Sequence, residues 1–575
     1  DTQIGGVDDQ IGGDGDGIAN PGEEVYLTLE VFNESMELYP SSTTLTISSL
    51  DSDIEILESE FIYESAIESG QSHNFQVPIS ISEDIPLGST SFTIALESSY
   101  IDNYGNSLIY TSSYDRELQV NLYQQGFPYI VNTQVLSSPA IVDIDGDGTK
   151  EIIFGDYMGL LHVIDIFGDA KPGFPFDMGD QIWASPSVYD IDLDGDIEII
   201  ACSKNKKVIA INPDGSEQFS YNTNKYLIGT PAFGNIDDDD DLEIILASYD
   251  SPTSSNRIYA INPDGSDVDG FPFTIGEKIK IGAALADFND NGKVDIVVGT
   301  DDEKLYLIYD NAQVAEGFPF EADSDFKSEP IILNENGDNI IMAGSKDGTF
   351  YGIDENGEEI FSIMTSDDIM SSPSVLSYEN QLIIMFGNND GELYAINADG
   401  TVIDGWPIIF PSAIVSSPVF SDFNADGIPE IVISLNEGSM YVFNLDGSHF
   451  DSTPFNYAFP YTGSLAIEDL DMDGDLEIVC GTGDGINIFD IKTSGTSASY
   501  WNIFRGNYKR DGYFQSILMG DVNQDSNTDI LDIVIVLNFV LGNIDSINFE
   551  YADFNSDGEI DISDIILLVS EIIEI

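Results

Sequence analysis

The chain has 575 residues, with 104 Asp or Glu against 18 Lys or Arg, which gives a formal net charge of −86 at pH 7. Because phosphate contacts need clustered Lys and Arg, this charge argues against nucleic-acid binding and against attraction to anionic membranes. Apolar residues are 42% of the chain and aromatic residues 11%, enough for a sizeable core, which argues against disorder. The apolar runs of the sequence are too short to cross a bilayer, so no membrane insertion is expected.

Residues 1–124 contain runs in which apolar and polar residues alternate, such as EVYLTLEVFN from Glu24 and TSFTIALESS from Thr90. This alternation is typical of strands with one buried face. Six or seven such strands predict an N-terminal β-sandwich. The opening GGDGDGIANPGEE resembles the start of accessory sandwich domains in secreted bacterial proteins. The chain begins at Asp1 without Met, which we attribute to a removed secretory signal or to trimming.

A similar unit recurs eight times within residues 125–514. Each copy contains a run such as AIVDI from Ala140, a β-branched run such as EIIFG from Glu151, and an alternating run that ends in a turn, such as LYAINADG from Leu393. Repetition at a steady period indicates a repeat fold. The residues that mark successive copies are 43 to 53 positions apart, and they are Pro139, Pro186, Pro231, Ala284, Pro330, Pro373, Pro418 and Leu465.

Four short strands in about 45 residues are typical of one β-propeller blade, and a single blade cannot bury both of its faces. The repeats therefore predict an eight-bladed β-propeller over 125–514, or a seven-bladed one if the eighth unit is an extension. We expect the segment that opens with GFP at Gly126 to add a strand to the last blade and close the ring. The units resemble FG-GAP or VCBS repeats, a calcium-bearing type, and WNIFRGNYKRDGYF from Trp501 resembles the segment that commonly follows such propellers.

Six units contain a nine-residue loop with oxygen-bearing side chains at positions 1, 3, 5 and 9, often with Gly at position 6. Alternate positions in a tight loop can direct their oxygens to one point, and Ca²⁺, which accepts six to eight oxygens, fits such a site better than Mg²⁺. Without a cation the clustered carboxylates would repel one another. The predicted ligands are Asp143, Asp145, Asp147, Glu151, Asp190, Asp192, Asp194, Glu198, Asn235, Asp237, Asp239, Glu243, Asp287, Asn289, Asn291, Asp295, Asp422, Asn424, Asp426, Glu430, Asp469, Asp471, Asp473 and Glu477.

An acidic, solvated hairpin turn is the alternative interpretation of one such loop, but six copies in register favour metal binding. The third loop has Asp240 where Gly is expected, and the fifth and sixth units lack the loop, so those two blades are predicted to turn without metal. Each loop joins the first two strands of its unit, and its own side chains saturate the ion. The sites are therefore predicted to be structural, because catalysis needs an open coordination position or a nearby acid or base.

The segment 515–575 contains two acidic loops, each followed by an apolar helix. Oxygens at positions 1, 3, 5, 7 and 12 give the spacing of an EF-hand-like calcium loop. The two halves resemble a type I dockerin, with Ser526 as a departure from the usual Gly, and an unrelated calcium-binding helical pair is the alternative. The predicted ligands are Asp521, Asn523, Asp525, Asn527, Asp532, Asp553, Asn555, Asp557, Glu559 and Asp564, with Asn527 and Glu559 using the backbone oxygen.

The dockerin resemblance implies docking to a cohesin, which is a β-sandwich partner. It also implies that residues after loop position 9 read the partner, namely Ile530, Leu531, Ile562 and Ser563, and their apolar character suits a persistent interface. Another copy of the chain is the second candidate partner. If a sandwich or propeller face receives the tail of the next copy, the heterologous contact makes open filaments when its rotation does not close. Alternatively, the tail packs on its own propeller.

Enzyme activity is not expected, although some polysaccharide lyases resemble this design. The charge of the chain would repel an acidic pectin, and the three histidines, His73, His162 and His449, are scattered along the sequence. Neutral-glycan binding stays open, because 27 Tyr and 33 Phe supply many rings on which sugars could stack. The two cysteines, Cys202 and Cys480, are expected to be free and buried, since they fall in units that are not neighbours.

The sequence as a whole predicts a secreted, calcium-binding, non-enzymatic protein with a structural or adhesive role that assembles through its tail. The alternative is a cellulosome-type carbohydrate-binding component, or a polysaccharide lyase, docked to a separate cohesin scaffold.

Overall fold

The chain is mainly β-structure, with small antiparallel sheets along most of its length and helices near its C-terminus. The computed structural model describes all residues except 1, 11–16, 35–39, 83–84, 102–103, 336, 380, 451–452, 516–519, 521, 523–527, 529, 545–546, 548, 553, 555–559 and 575.

The N-terminal part consists of two four-stranded antiparallel sheets that share one apolar core. Its strands are β1 (Thr2–Asp8), β2 (Glu24–Phe32), β3 (Ser42–Ser49), β4 (Ile54–Ile56), β5 (Glu60–Tyr63), β6 (Ser72–Ile81), β7 (Gly88–Ile101) and β8 (Ser107–Val120).

The strands of this part pair in the orders β1-β2-β6-β4 and β5-β3-β7-β8. Leu27 and Val77 from one sheet and Leu45 and Ile94 from the other are fully buried in the shared core. The alternating runs therefore form strands with one buried face, as predicted. The strand count of eight exceeds the expected six or seven, because β4 and β5 are too short to show a clear alternation.

Each of the eight sequence units forms one antiparallel sheet, preceded by the short strand β9 (Tyr129–Ile130). Unit 1 contains β10 (Ala140–Val142), β11 (Glu151–Gly155), β12 (Leu160–Ile164) and β13 (Phe176–Asp177); unit 2, β14 (Ser187–Tyr189), β15 (Glu198–Cys202), β16 (Lys207–Ile211) and β17 (Glu217–Asn222); unit 3, β18 (Ala232–Gly234), β19 (Glu243–Ala247), β20 (Arg257–Ile261) and β21 (Phe273–Thr274), with a 3₁₀ turn at Thr253–Ser255; unit 4, β22 (Ala284–Ala286), β23 (Asp295–Gly299), β24 (Lys304–Ile308) and β25 (Phe320–Glu321). Unit 5 contains β26 (Ile331–Glu335), β27 (Asp338–Gly344), β28 (Thr349–Ile353) and β29 (Glu359–Met364); unit 6, β30 (Ser374–Tyr378), β31 (Gln381–Gly387), β32 (Glu392–Asn397) and β33 (Ile408–Ile409); unit 7, β34 (Val419–Ser421), β35 (Glu430–Ser434), β36 (Ser439–Phe443) and β37 (Phe455–Asn456); unit 8, β38 (Ala466–Glu468), β39 (Asp475–Gly481) and β40 (Gly485–Ser494).

The second strand of a unit is buried along its whole length in units 1 to 4 and in unit 7. These strands are continuous apolar runs such as EIIFG and EIILA, not alternating ones. A strand buried on both faces needs such a run, because a neighbouring sheet covers each side. The core of the repeat region therefore lies between consecutive sheets.

Unit 8 takes its fourth strand from the beginning of the repeat region. Tyr129 and Ile130 of β9 pair with Ile486 and Gly485 of β40, as the GFP segment predicts. The amide of Ser464 in unit 8 also donates to Oγ of Ser138 in unit 1 at 3.0 Å. The same kind of bond joins Ser417 of unit 7 to Ser464, and Ser138 to Ser185 of unit 2. Unit 8 is thus joined to unit 1 in the way that neighbouring units are joined.

Residues 501–515, here called the axial segment, run across the first strands of the units and end in β41 (Tyr513–Gln515). Strand β41 pairs in parallel with β26 as a fifth strand of unit 5. The units donate backbone N–H groups to axial carbonyl oxygens over N···O distances of 2.9–3.4 Å. The donors Phe420, Ile467, Val188, Phe233, Leu285 and Ile332 bond to Trp501, Asn502, Tyr508, Lys509, Asp511 and Gly512, respectively.

Three helices follow, α1 (Ile530–Val540), α2 (Phe549–Ala552) and α3 (Ile562–Glu574). Val536 of α1, Ala552 of α2 and Leu568 of α3 are buried together in a small core. In the part of the chain that the structure describes, none of the helices is long and apolar enough to span a bilayer. Both Cys202 and Cys480 are free and buried, as expected.

Candidate metal loops and docking face

The six predicted calcium loops all lie between the first and second strands of their units. They are named by unit: loop 1 (143–151), loop 2 (190–198), loop 3 (235–243), loop 4 (287–295), loop 7 (422–430) and loop 8 (469–477).

The carboxylate at position 1 closes the loop on itself. In loop 1, Asp143 accepts backbone N–H groups from Asp147 at 3.1 Å and from Gly148 at 2.9 Å. Gly148 has a φ of +91°, a left-handed conformation that Gly adopts at little cost, which explains the Gly at position 6. Position 4 is left-handed as well in five of the six loops, a feature that the sequence pattern did not reveal. The residues there are Gly146, Leu193, Asp290, Ala425 and Met472.

The carboxylate at position 9 is the most buried carboxylate of each loop. In loop 3, Glu243 is fully buried, and its Oε2 accepts the N–H of Ile236 at 2.8 Å. Its Oε1 accepts no hydrogen bond, and the same holds for Oε1 of Glu477 in loop 8 and for Oε1 of Glu151 in loop 1, although the Nζ of Lys171 lies 2.9 Å from the Glu151 oxygen. A buried carboxylate oxygen without a partner is costly. A bound cation, or a proton on the carboxyl, would remove this cost.

Carboxylate oxygens from several loop positions lie within 4.8 Å of one another. Such groups occur in four of the predicted loops. They are Asp143, Asp145 and Glu151 in loop 1; Asp190, Asp192 and Asp194 in loop 2; Asp237, Asp239 and Glu243 in loop 3; and Asp471, Asp473, Asp475 and Glu477 in loop 8.

Some predicted ligands stand apart from these groups. In loop 8, Asp475 at position 7 joins the group, whereas Asp469 at position 1 does not. Glu198 is outside the loop 2 group and accepts the N–H of Ile191 at 3.1 Å. Acidic residues also occur at position 7 of loops 2 and 3. This recurrence in the sequence could have indicated position 7 as a further candidate ligand position.

Two of the three loops that contain Asn, loops 4 and 7, are less convergent. The three carboxylates of loop 7, which lies wholly within the described residues, do not form such a group. In loop 4, Asn289 turns its amide nitrogen toward Asp295, with N···O distances of 3.2 and 3.3 Å.

Burial raises the pKa of the position 9 carboxyls. Burial first, and then the neighbouring loop carboxylates, raise the pKa of Glu198, Glu243 and Glu430 to about 7. In loop 4, burial raises the pKa of Asp295 to about 6. In loop 8, burial and then Asp490 and other loop carboxylates raise the pKa of Glu477 to about 10. Protons therefore compete with metal ions for these oxygens.

Loop 1 differs from the others because a lysine enters it. The Nζ of Lys171 lies 2.7 Å from Asp145 Oδ2, 2.9 Å from Glu151 Oε1 and 3.3 Å from Asp147 Oδ2. These oxygens belong to the predicted calcium ligands of unit 1, so the ammonium group takes the place expected for the ion.

Units 5 and 6 have no nine-residue loop in their sequences, and that they turn without metal stays a prediction. The pairing of β26 with β27 extends to Glu335 and Asp338, and that of β30 with β31 extends to Tyr378 and Gln381. In unit 5 the axial segment pairs with β26 out to Asn334.

Two of the predicted tail ligands lie within the described residues. Asp532 and Asp564, at position 12 of the two acidic loops, are buried in the first turns of α1 and α3. Asp564 accepts N–H groups from Phe554 and Asp561, both at 2.8 Å. The other predicted ligands lie outside the described residues, and these are Asp521, Asn523, Asp525, Asn527, Asp553, Asn555, Asp557 and Glu559.

Three of the four predicted partner-reading residues are strongly exposed. Ile530, Leu531 and Ile562 expose 68%, 55% and 63% of their surface, and Ser563 is half-buried. Further exposed aliphatic residues follow on both helices and were not predicted, although their spacing of three to four residues is a helical signal. These are Val534, Leu537, Leu541, Ile566 and Leu567, and together with Ile530, Leu531 and Ile562 they are here called the docking face.

Two family models match parts of the chain. Residues 519–573 match the Dockerin type I domain, and residues 422–480 match an FG-GAP-like repeat. A dockerin domain implies a cohesin partner and typically binds calcium, and both kinds of domain are typical of extracellular proteins. No curated protein matches the chain.

Similar solved structures include BamB from Moraxella catarrhalis, at 13% identity over 62% of this chain and 99% of that chain, with a TM-score of 0.43. BBS1N in complex with ARL6DN has 12% identity over 64% and 97%, with a TM-score of 0.40. The V. cholerae biofilm matrix protein Bap1 has 12% identity over 66% and 93%, with a TM-score of 0.37. Likenesses this weak carry no argument about this chain.

Proposed function

We propose that the chain is a secreted, calcium-stabilised structural or adhesive protein, built from a β-sandwich, an eight-bladed β-propeller and a dockerin tail that couples it to a partner. The two sheets with a shared core support the sandwich. The eight consecutive sheets, with unit 8 joined to unit 1, support the propeller.

The unpartnered buried oxygens of Glu243 and Glu477 carry the calcium proposal. Each belongs to a group of converging carboxylates. In loop 3, Asp238 contacts Lys293 at 2.6 Å, and Asp238 is not a member of the group around Glu243. The available donors are carboxylate and amide oxygens, the hard ligands that Ca²⁺ prefers. Loops 2, 3 and 8 would each hold one ion. The charge of the ion would offset the mutual repulsion of the carboxylates around it.

The docking face carries the coupling proposal. Its aliphatic residues lie on the two helices that follow the acidic loops, so calcium in those loops would set the relative positions of α1 and α3. Large exposed apolar patches on a charged protein are typical of interaction sites. A cohesin-like β-sandwich is the proposed partner.

The test is capture of the full-length chain on an immobilised type I cohesin, in calcium and in chelator. We expect binding in calcium only, and we expect Ile562→Asp to weaken it at least tenfold by placing a charge in an apolar interface. The matched control is Ile360→Asp, an exposed residue of unit 5 remote in sequence from the tail. Equal capture of native chain and Ile562→Asp would contradict the proposal.

A second copy of the chain is the alternative partner, because the same chain carries a proposed sandwich at one end and a dockerin tail at the other. Negative-stain microscopy of the native chain with calcium separates the two. Filaments that disappear in chelator and in Ile562→Asp would support head-to-tail assembly, whereas monodisperse particles in calcium would contradict it.

The environments of the histidines support a non-enzymatic function. His162 is buried, lies 3.1 Å from Asp156 and stacks on Phe154. His73 stacks on Tyr63 with ring centroids 3.7 Å apart, and His449 lies beside Tyr441. Each histidine thus packs against an aromatic ring. A lyase assay on pectin fragments tests this part of the proposal, and robust turnover would contradict it.

Glycan binding is a second candidate function, favoured by a cavity of about 250 Å³ at one end of the N-terminal part. Phe32, Tyr100, Tyr110 and Tyr114 line it together with polar side chains. Aromatic rings beside polar groups suit sugar rings. Titration with neutral oligosaccharides tests this, and we expect Tyr110→Ala to abolish any binding at this cavity.

A further inference from the structure

Loop 1 contains a protein cation at the point where its carboxylates converge. The ammonium of Lys171 contacts Asp145, Asp147 and Glu151 within 3.3 Å, and its side chain is 17% exposed. In loop 3, Asp238 contacts Lys293 at 2.6 Å, outside the group of Asp237, Asp239 and Glu243. The ion pairs of the described residues join no lysine to the carboxylates grouped in loop 2 or loop 3. Loop 1 is therefore not equivalent to loops 2 and 3, although their ligand positions align.

Lys171 occupies a position that other units share, but they have a different type of residue there. Lys171 precedes the fourth strand, and its backbone N–H donates to the carbonyl of Val163 in the third strand at 2.9 Å. In four other units an equivalent N–H group donates to a third-strand carbonyl oxygen, that of Ala260, Leu307, Ala395 or Val442. The residues that donate these bonds therefore occupy the same position as Lys171. Those residues are Val268, Ala315, Ile403 and Phe450, all of them apolar. Unit 1 thus has a lysine where units 3, 4, 6 and 7 have an apolar residue.

We propose that loop 1 binds no calcium in the native chain, because Lys171 serves as its permanent counter-ion. The proposal rests on calcium binding by the other loops, as set out in the proposed function. To enter loop 1, Ca²⁺ would have to displace an ammonium group from three carboxylates and leave it beside a divalent ion, which is electrostatically unfavourable.

A metal-independent loop in unit 1 has a consequence at the joint between units 8 and 1. Lys150, at position 8 of loop 1, contacts Glu468 of unit 8 at 2.7 Å, next to the start of loop 8. If loop 1 keeps its shape without calcium, this contact and the Ser464–Ser138 bond persist when calcium is withdrawn. Loops 2 and 3 would lose their folded geometry under the same conditions.

The test compares calcium stoichiometry by equilibrium dialysis and atomic absorption for four full-length variants. We expect Lys171→Val, which installs the residue of unit 3, to bind one more Ca²⁺ per chain than the native chain. We expect Asp145→Ala to bind the native number and Asp192→Ala, in loop 2, to bind one fewer. Lys150→Val removes an equal charge beside the loop and is the control, for which the native number is expected.

The outcomes separate this inference from the calcium proposal. Loss of one Ca²⁺ in Asp145→Ala, or no gain in Lys171→Val while Asp192→Ala loses one, would overturn the inference alone. No loss in Asp192→Ala would overturn the calcium proposal. Hydrogen exchange of the native chain gives a test without variants. In chelator, we expect the amides of Asp147 and Gly148 to stay protected and those of Asp194 and Gly195 to exchange, and equal exchange in both loops would contradict the inference.

Discussion

The position 9 carboxylate has a dual role in the acidic loops. One oxygen of Glu243 accepts the N–H of position 2 and so fixes the start of the loop, while the other is buried among carboxylates without a hydrogen-bond partner. Glu can make both contacts because its side chain reaches from the second strand back into the loop. The group would thus couple the shape of the hairpin to the proposed binding of an ion.

We expect Glu477→Gln to have opposite effects with and without calcium. The amide keeps the shape but removes a charge, so the variant should bind one Ca²⁺ fewer and have a lower Tm than the native chain in calcium. In chelator its Tm should be higher, because the folded native chain has to keep this buried carboxyl protonated, with a pKa of about 10, whereas Gln is already neutral. Calorimetry in both buffers measures this, with exposed Glu355→Gln as the control. A lower Tm in both buffers would contradict the metal role.

The raised pKa values of Glu198, Glu243 and Glu430 predict a pH dependence of the metal-free chain. A carboxyl with a pKa of about 7 in the folded chain and 4.5 when unfolded binds more protons in the folded state between these values. Folding stability from these groups is therefore fully present below about pH 4.5 and is lost as pH rises through 7.

In chelator we accordingly expect a higher Tm at pH 5 than at pH 8, and a smaller difference in calcium. The chain carries many other carboxylates, so the control is the triple variant Glu198→Gln, Glu243→Gln, Glu430→Gln, in which the difference should shrink. An identical pH profile for native chain and triple variant would show that these groups do not cause it.

At the scale of elements, the axial segment holds the units together. Arg505 and Arg510 within it are fully buried, which is unusual for charged side chains. Arg505 contacts Glu329 of unit 5 at 2.9 Å and donates to backbone carbonyls of Pro330, Arg510 and Ala283. One side chain thus satisfies polar groups of units 4 and 5, where no apolar residue could do so.

We expect Arg505→Met to destabilise the chain by about 3–5 kcal/mol, because Glu329 loses its buried partner. Adding Glu329→Gln should restore part of the loss, and urea unfolding of the four members of this cycle measures the coupling. Lys509→Met on the same segment is the control, since its ammonium lies over the ring of Tyr189. Additive effects of the two substitutions would contradict a direct coupling.

For the whole molecule, the pairing of β9 with β40 joins the start of the repeat region to its end. At Gly485 in β40 there is no room for a side chain, because a Cβ would lie 2.0 Å from the carbonyl oxygen of Tyr129. The pairing completes the sheet of unit 8 and covers an edge of β40 that would otherwise be exposed. The repeat region then has no free end at this joint.

We expect Gly485→Ala to destabilise the repeat region by about 1–3 kcal/mol and to make its unfolding less cooperative, since units 1 and 8 would no longer be tied by β9. Urea unfolding followed by circular dichroism measures both effects. Gly483→Ala, where a Cβ would lie 3.2 Å from Phe459, is the milder control. An unchanged transition in Gly485→Ala would show that closure by β9 contributes little to stability.

The sequence by itself determined the number of units, the loop positions, the closing strand and the acidic tail. These features depend on local chemistry: Asp at position 1 and Gly148 at position 6 define a turn within a few residues. Apolar runs such as EIIFG likewise report burial on both faces of a strand.

Only the tertiary structure decided which groups share a site. Lys171 is 20 residues beyond Glu151 in the sequence, and the turn between β12 and β13 brings it into loop 1. Asp475 belongs to the loop 8 group in place of the predicted Asp469. Arg505 and Glu329 meet across 176 positions. Such contacts depend on how the sheets pack around the axial segment, and no local pattern encodes that packing.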